Sequence, residues 1–194
     1  MLKKTGSNKY SLIEKNACFL SKIAPEIPYF LKHKILFVCL GNICRSPLAE
    51  AVFNRLAGER GISNRFYADS CGTAGHHAGQ PPDPRTLKNA RKNKLEIVHL
   101  GRQLHPDDFA TASLILTMDS DNYRNTRSLA LKNGYDTAAI SMLRRFDPAA
   151  VKDDLDVPDP WYGGEEGFEE VFQIISRSCS GLVDALEASY PGLP

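Results

Sequence analysis

No stretch of the sequence comes near the ~18 uninterrupted apolar residues that a membrane-spanning helix needs. The nearest, residues 17–31, is broken by Lys22, Pro25, Glu26 and Pro28. Charge of one sign is also missing: the formal net charge is +1 at neutral pH, from 24 basic and 23 acidic residues. The chain therefore offers no bulk electrostatic pull on nucleic acid. Cysteine is sparse and irregularly spaced; five, an odd number, argue against a secreted disulfide scaffold and for reduced thiols in a cytoplasmic setting. There is no internal repeat, no low-complexity tract and no G-x-x-x-x-G-K-[ST] phosphate loop. What is present, 194 residues with 42% hydrophobic and 24% charged content, suits one globular domain with a full core.

Charge is unevenly spread. Residues 1–34 hold seven Lys and two Glu, about +5, leaving about −4 for the remainder. The first 33 residues read as a basic N-terminal arm or a short helix docked on the domain. An organelle-targeting segment is the alternative, which Glu14 and Glu26 fit poorly. The domain proper is expected over residues 34–194.

From there apolar runs alternate with amphipathic stretches. Ile35–Cys39 predicts a strand buried on both faces. Pro47–Glu59 predicts a helix, with Pro47 at the first helical position and Leu48, Ala51, Val52 and Leu56 on one face. Further strands are expected at Phe66–Ser70, Leu114–Met118 and Thr137–Met142, and helices at Pro84–Asn93, Ser120–Lys132 and Gly164–Ser189. Gly72–Pro84 and Arg144–Gly164 read as loops, the second as a long surface loop. The last helix carries a stripe of Phe168, Val171, Phe172, Ile175, Cys179, Leu182, Val183 and Leu186. Alternation of this kind implies an α/β fold with right-handed crossovers and an open parallel sheet. In such sheets ligands bind at the carboxyl ends of the strands.

At that end of the first strand stands Cys39-Leu40-Gly41-Asn42-Ile43-Cys44-Arg45-Ser46-Pro47. A loop running from strand into helix aims backbone N–H groups inward, and the helix start adds partial positive charge. Gly41 accepts positive φ and Asn42 tolerates it. Arg45 supplies a permanently charged fork that matches two phosphate oxygens. The expected guest is a tetrahedral oxyanion. Dipoles and guanidinium around Cys39 favour its thiolate, to which the Ser46 hydroxyl can donate. A thiolate below a bound phosphate is placed for in-line attack, giving a phosphocysteine. Taken alone, a C-x5-R spacing is weak and Cys39 an ordinary core residue; the strand before it and the helix after it strengthen the signal.

"VCLGNICRSPLAEAVF" resembles the signature of the low-molecular-weight protein tyrosine phosphatases. The similarity continues through "DSCGT", "PPDPR", "RQL", "DDF", "LTMDSDNYRN" and "DPWYGG", covering roughly residues 34–190. It implies a flavodoxin-like four-stranded parallel sheet with helices on both faces. It implies hydrolysis of phosphotyrosine proteins without metal or other cofactor, with inorganic phosphate as product or inhibitor.

Expulsion of a phenoxide benefits from a proton donor, and the loop contains none. Asp159, between Pro158 and Pro160, is restrained in its backbone, and Trp161 and Tyr162 offer a wall for an aromatic leaving group. By resemblance Asp159 is the general acid and then the base that activates water. By the same resemblance Asn42, Ser46, Ser70 and His99 hold the phosphate loop in shape, and Asp119 is an acidic neighbour of structural or electrostatic role. Resemblance also suggests a reversible Cys39–Cys44 disulfide; the alternative is that Cys44 is a small buried residue. Cys71 and Cys179 are expected in the core.

One departure concerns substrate preference. Where the family often has a bulky aromatic, this chain has His76 and His77, which either stack on a substrate ring or lie on the surface. A shared metal is disfavoured, because sequence neighbours rarely converge on one ion. Three other functions compete. An arsenate reductase needs relay cysteines after the third strand, and residues 112–140 contain none. A protein arginine phosphatase has Thr where Ile43 stands. A phospho-ligand reader has no need of both Cys39 and Asp159.

Overall fold

The computed structural model of the chain describes residues 6–23, 32–151 and 153–190. In chain order the elements are α1 (Gly6–Ile23), β1 (His33–Cys39), α2 (Arg45–Glu59), β2 (Phe66–Gly72), α3 (Pro84–Lys92), α4 (Asp107–Thr111), β3 (Ala112–Thr117), α5 (Ser120–Lys132), β4 (Ile140–Met142) and α6 (Glu165–Ser189). Short 3-10 turns lie at Leu143–Phe146 and Pro160–Tyr162.

All four strands are parallel, in the order β2-β1-β3-β4. The chain moves from β1 to one side, then returns to the other through β3. The switch of direction opens a crevice between the carboxyl ends of β1 and β3. Period-2 alternation divides β1 between two cores. Ile35, Phe37 and Cys39 pack with α2 and α6, against Leu48, Val52, Phe53, Ile175 and Leu182. Leu36 and Val38 pack on the other face with Ile115, Ala130 and Ile140. All eight residues of the α6 stripe are buried.

Most element boundaries fall within a few residues of the sequence expectations, and α5 coincides with its own. The differences have local causes. Helix α2 starts at Arg45, not Pro47, so Pro47 sits in the first turn, where its missing N–H costs no helical bond. Strand β4 is only three residues, because 137–139 turn before pairing begins. The short α4 was not anticipated. The 144–164 segment is not simply a surface loop. Phe146 and Val157 are fully buried, and buried Asp147 takes a bidentate pair from Arg177 of α6 at 3.1 and 3.0 Å. Helix α6 meets this segment backbone to backbone: a Cβ at Gly181 would lie 2.0 Å from the Phe146 carbonyl oxygen.

Within the N-terminal arm, residues 6–23 are helical, and α1 docks along the C-terminal half of α6. Leu20 is buried, Phe19 lies 4.4 Å beneath the Arg145 guanidinium, and Ser189 Oγ donates to Ala17 O at 3.4 Å. Residues 1–5 and 24–31 of the arm lie outside the described residues. Among the described residues no helix is long and apolar enough to cross a membrane.

Candidate active site

Residues 40–44 leave β1 at the crevice and turn into α2. Three of their neighbours fix the loop through its carbonyls. Thr73 N donates to Cys39 O (2.9 Å), Ala74 N to Leu40 O (2.9 Å) and Asp83 N to Ile43 O (2.8 Å). In a trans peptide the next N–H points opposite to the carbonyl. The amides of Leu40, Gly41 and Cys44 therefore face away from these donors. Asn42 takes the left-handed conformation with φ 56°, which the sequence offered to Gly41 or Asn42. The nearest limit on Gly41 is the His77 ring, 3.0 Å from where a Cβ would stand.

Beneath the loop the Asn42 side chain is fully buried and bonded at both ends. Its Nδ2 donates to Ser46 Oγ and Ser70 Oγ, both at 2.9 Å. Its Oδ1 accepts from Arg102 N at 2.8 Å and lies 2.8 Å from His99 Nε2. Ser70 Oγ, having accepted from Asn42, donates to Glu50 Oε2 at 2.7 Å, and the same oxygen lies 3.2 Å from His99 Nδ1. Asn42, Ser46, Ser70 and His99 thus form one network. Glu50 closes it and was missed in the sequence, although it lies one helical turn after Ser46 and so on the same face.

Cys39 ends β1 with 3% of its surface exposed. Its Sγ accepts from Asn42 N at 3.2 Å and lies 3.0 Å from Ser46 Oγ. With Leu40, Gly41, Ile43, Cys44, Arg45, His77, Asp159, Trp161 and Tyr162 it lines a cleft of about 160 Å³. Cys44 packs with Ile43 and Phe168, and burial pushes its thiol up to about 12. Cys71 and Cys179 lie in the core, both thiols raised by burial, and all five cysteines are unpaired.

The Arg45 side chain, 3% exposed, is held by two carboxylates. Nη1 donates to Asp119 Oδ2 (2.7 Å) and Val157 O (3.1 Å), and Nη2 to Asp159 Oδ2 (2.7 Å). Burial opposes its charge, but Cys39, Asp159 and Asp119 outweigh that and raise its pKa above the usual arginine value. Asp119 also caps α5 by accepting from Asn122 N. Asp159 caps the 3-10 turn by accepting from Trp161 N at 3.1 Å. The segment reaches the site because Val157 N donates to Met118 O at the end of β3 (2.7 Å). Trp161 faces His77 across the cleft, ring centroids 6.0 Å apart, and Tyr162 stands at the rim, 95% exposed. His76 is exposed. Among the described residues no group of three His, Cys, Asp or Glu is arranged to hold a metal ion.

The Cys39 sulfur, the Arg45 fork and the Asp159 carboxylate thus surround one small cleft. The profile of the low molecular weight phosphotyrosine protein phosphatase family matches residues 34–191. The chain belongs to that family. A low molecular weight protein-tyrosine-phosphatase of Streptomyces coelicolor is 39% identical over 162 residues, 84% of this chain and 98% of the relative. The fold is similar to that of an Entamoeba histolytica protein tyrosine phosphatase solved with Hepes in its active site. The TM-score is 0.74 at 34% identity, covering 81% of this chain and 98% of the other. It is also similar to a Drosophila arginine phosphatase, with TM-score 0.72 and 31% identity over 77% of this chain and 95% of the other.

Proposed function

We propose that the chain hydrolyses phosphotyrosine in proteins, and aryl phosphate monoesters generally, through a phosphocysteine on Cys39. The observation that carries this reading is the convergence of Cys39 Sγ, the Arg45 fork and Asp159 on one cleft walled by Trp161. The Cys39 sulfur forms the S–P bond while the bond from phosphorus to the aryl oxygen breaks. That oxygen keeps the electron pair and takes a proton from Asp159. Water then attacks phosphorus, Asp159 takes its proton, and the S–P pair returns to Cys39 as inorganic phosphate leaves. Arg45 and the loop amides stabilise the equatorial oxygens. Asp119 keeps Arg45 oriented, and the network of Asn42, Ser46, Ser70 and His99 fixes the loop. Residues 34–194 form the catalytic domain in this reading, residues 1–33 an appended arm, and the cytoplasm keeps the thiol reduced.

The arginine phosphatase among the similar folds favours one second reading, cleavage of the P–N bond of phosphoarginine. Ile43, buried against Cys44 and Phe168, is the residue that weighs against it. Turnover of a phosphotyrosine peptide, a phosphoarginine peptide and 4-nitrophenyl phosphate, with and without chelator, separates the two. The expected result is aryl-ester turnover that survives chelation and vanishes in Cys39→Ser. Phosphoarginine turnover alone would replace the substrate assignment. Inert wild-type protein would leave a phosphate-binding module.

A further inference from the structure

The turn that carries Asp159 is three residues of 3-10 helix, too short to hold itself. One of its anchors is the ion pair to Arg45, and Arg45 must turn to the phosphoryl group when substrate is bound. A second anchor does not involve the reacting centre. Arg85, in the first turn of α3, lies with its guanidinium carbon 5.4 Å from the Trp161 ring centroid and 4.8 Å from that of Phe168. Its Nη1 donates to the Trp161 carbonyl at 3.2 Å. Its Nε and Nη2 donate to Asp83 Oδ1 and Oδ2 at 3.1 and 2.9 Å. Asp83 is itself fixed twice: its N–H donates to the phosphate-loop carbonyl of Ile43, and its carboxylate caps α3 at Arg85 N. A continuous chain of contacts thus runs from Ile43 through Asp83 and Arg85 to Trp161, whose N–H holds Asp159.

We propose that Arg85 is a positioning residue that clamps the Asp159 turn to the phosphate loop, so that the acid keeps its place when Arg45 lets go. The fork suits this role because it satisfies a carboxylate, a carbonyl and two ring faces at once, which an ammonium cannot do. The proposal rests on Asp159 being the acid, and two independent readouts test it.

The first is leaving-group dependence. Phenyl phosphate needs the proton and a nitrophenyl ester needs it far less. Arg85→Ala is expected to slow phenyl phosphate at least about tenfold more than 4-nitrophenyl phosphate, within the range general acids supply. Asp83→Asn should shift the ratio the same way, and Arg85→Lys, which keeps a cation near Trp161 and still folds if the alanine variant does not, should shift it less. The second readout is Trp161 itself, the single tryptophan of the chain. Acrylamide quenching of its emission should rise in both Arg85 variants. Equal slowing of the two esters together with unchanged quenching would overturn the clamp. If wild-type protein turned over neither ester, the reading of Asp159 would fail, and the clamp would then stand or fall on quenching alone.

Discussion

Arg45 Nη2 lies 2.7 Å from Asp159 Oδ2, so the proposed phosphate clamp and the proposed acid hold each other. In the proposed mechanism a phosphoryl group competes with Asp159 for that nitrogen. Asp159→Ala should therefore do two things. It should slow phenyl phosphate ~10²–10⁴-fold while sparing esters with good leaving groups. It should also lower the inhibition constant of inorganic phosphate by about two- to fivefold, the size of an ion pair whose carboxylate is 39% exposed. Weaker phosphate inhibition in the variant would mean that Asp159 does not compete.

Replacing Arg45 by Lys keeps the charge and removes the fork. A single ammonium cannot face Asp119, Val157 O and a phosphoryl group together. Turnover is expected to fall by ~10²–10³, as when an oxyanion donor is lost, with phosphate inhibition weakened in parallel. Steady-state kinetics read both. A loss below tenfold would argue that Arg45 serves the fold rather than the phosphate.

Asn42→Ala takes the acceptor from Arg102 N and from His99 Nε2 within a buried network, and puts at φ 56° a residue that tolerates the left-handed region less well than asparagine. The expected loss is about 2–4 kcal/mol in urea unfolding, combining orphaned polar groups with backbone strain. Asn42→Gly should recover about 1 kcal/mol of this, the backbone share. Identical stability of the two variants would show that the left-handed conformation costs alanine nothing.

The buried thiols give an alkaline limit to stability. The Cys44 pKa is raised from 9.0 to about 12 by burial, so above pH 9 the unfolded chain loses a proton that the folded chain retains. Stability is therefore full below pH 9 and declines as pH rises toward about 12, by up to ~1.4 kcal/mol per pH unit for this one thiol. Urea midpoints between pH 8 and 10.5 should fall less steeply in Cys44→Ala than in wild type. Parallel slopes would mean that the thiol ionises equally in both states.

The parts legible in the sequence are those whose cause is local. The α6 stripe, the apolar run of β1 and the span of α5 each follow from neighbours within a few residues. The turn from β1 into α2 was legible because its residues are contiguous. What closes over it is not visible in spacing; Asp119 and Asp159 were reached only through the family resemblance, and Arg85 and Glu50 not at all. Arg45 meets Asp119 and Asp159 across 74 and 114 residues. Burial of Asp147 depends on Arg177, and Arg85 matters only because Trp161 and Phe168 arrive from another part of the chain. Spacing carries no trace of such meetings.

The contact of Gly181 with the Phe146 carbonyl carries a consequence for how the molecule tolerates change. Even a methyl group at that point of α6 would lever the 143–162 segment away from its bed. Val157 and Asp159 ride on that segment, so under the proposed mechanism the disturbance would be felt as altered proton transfer. A substitution that never meets substrate would then masquerade as a defect in chemistry.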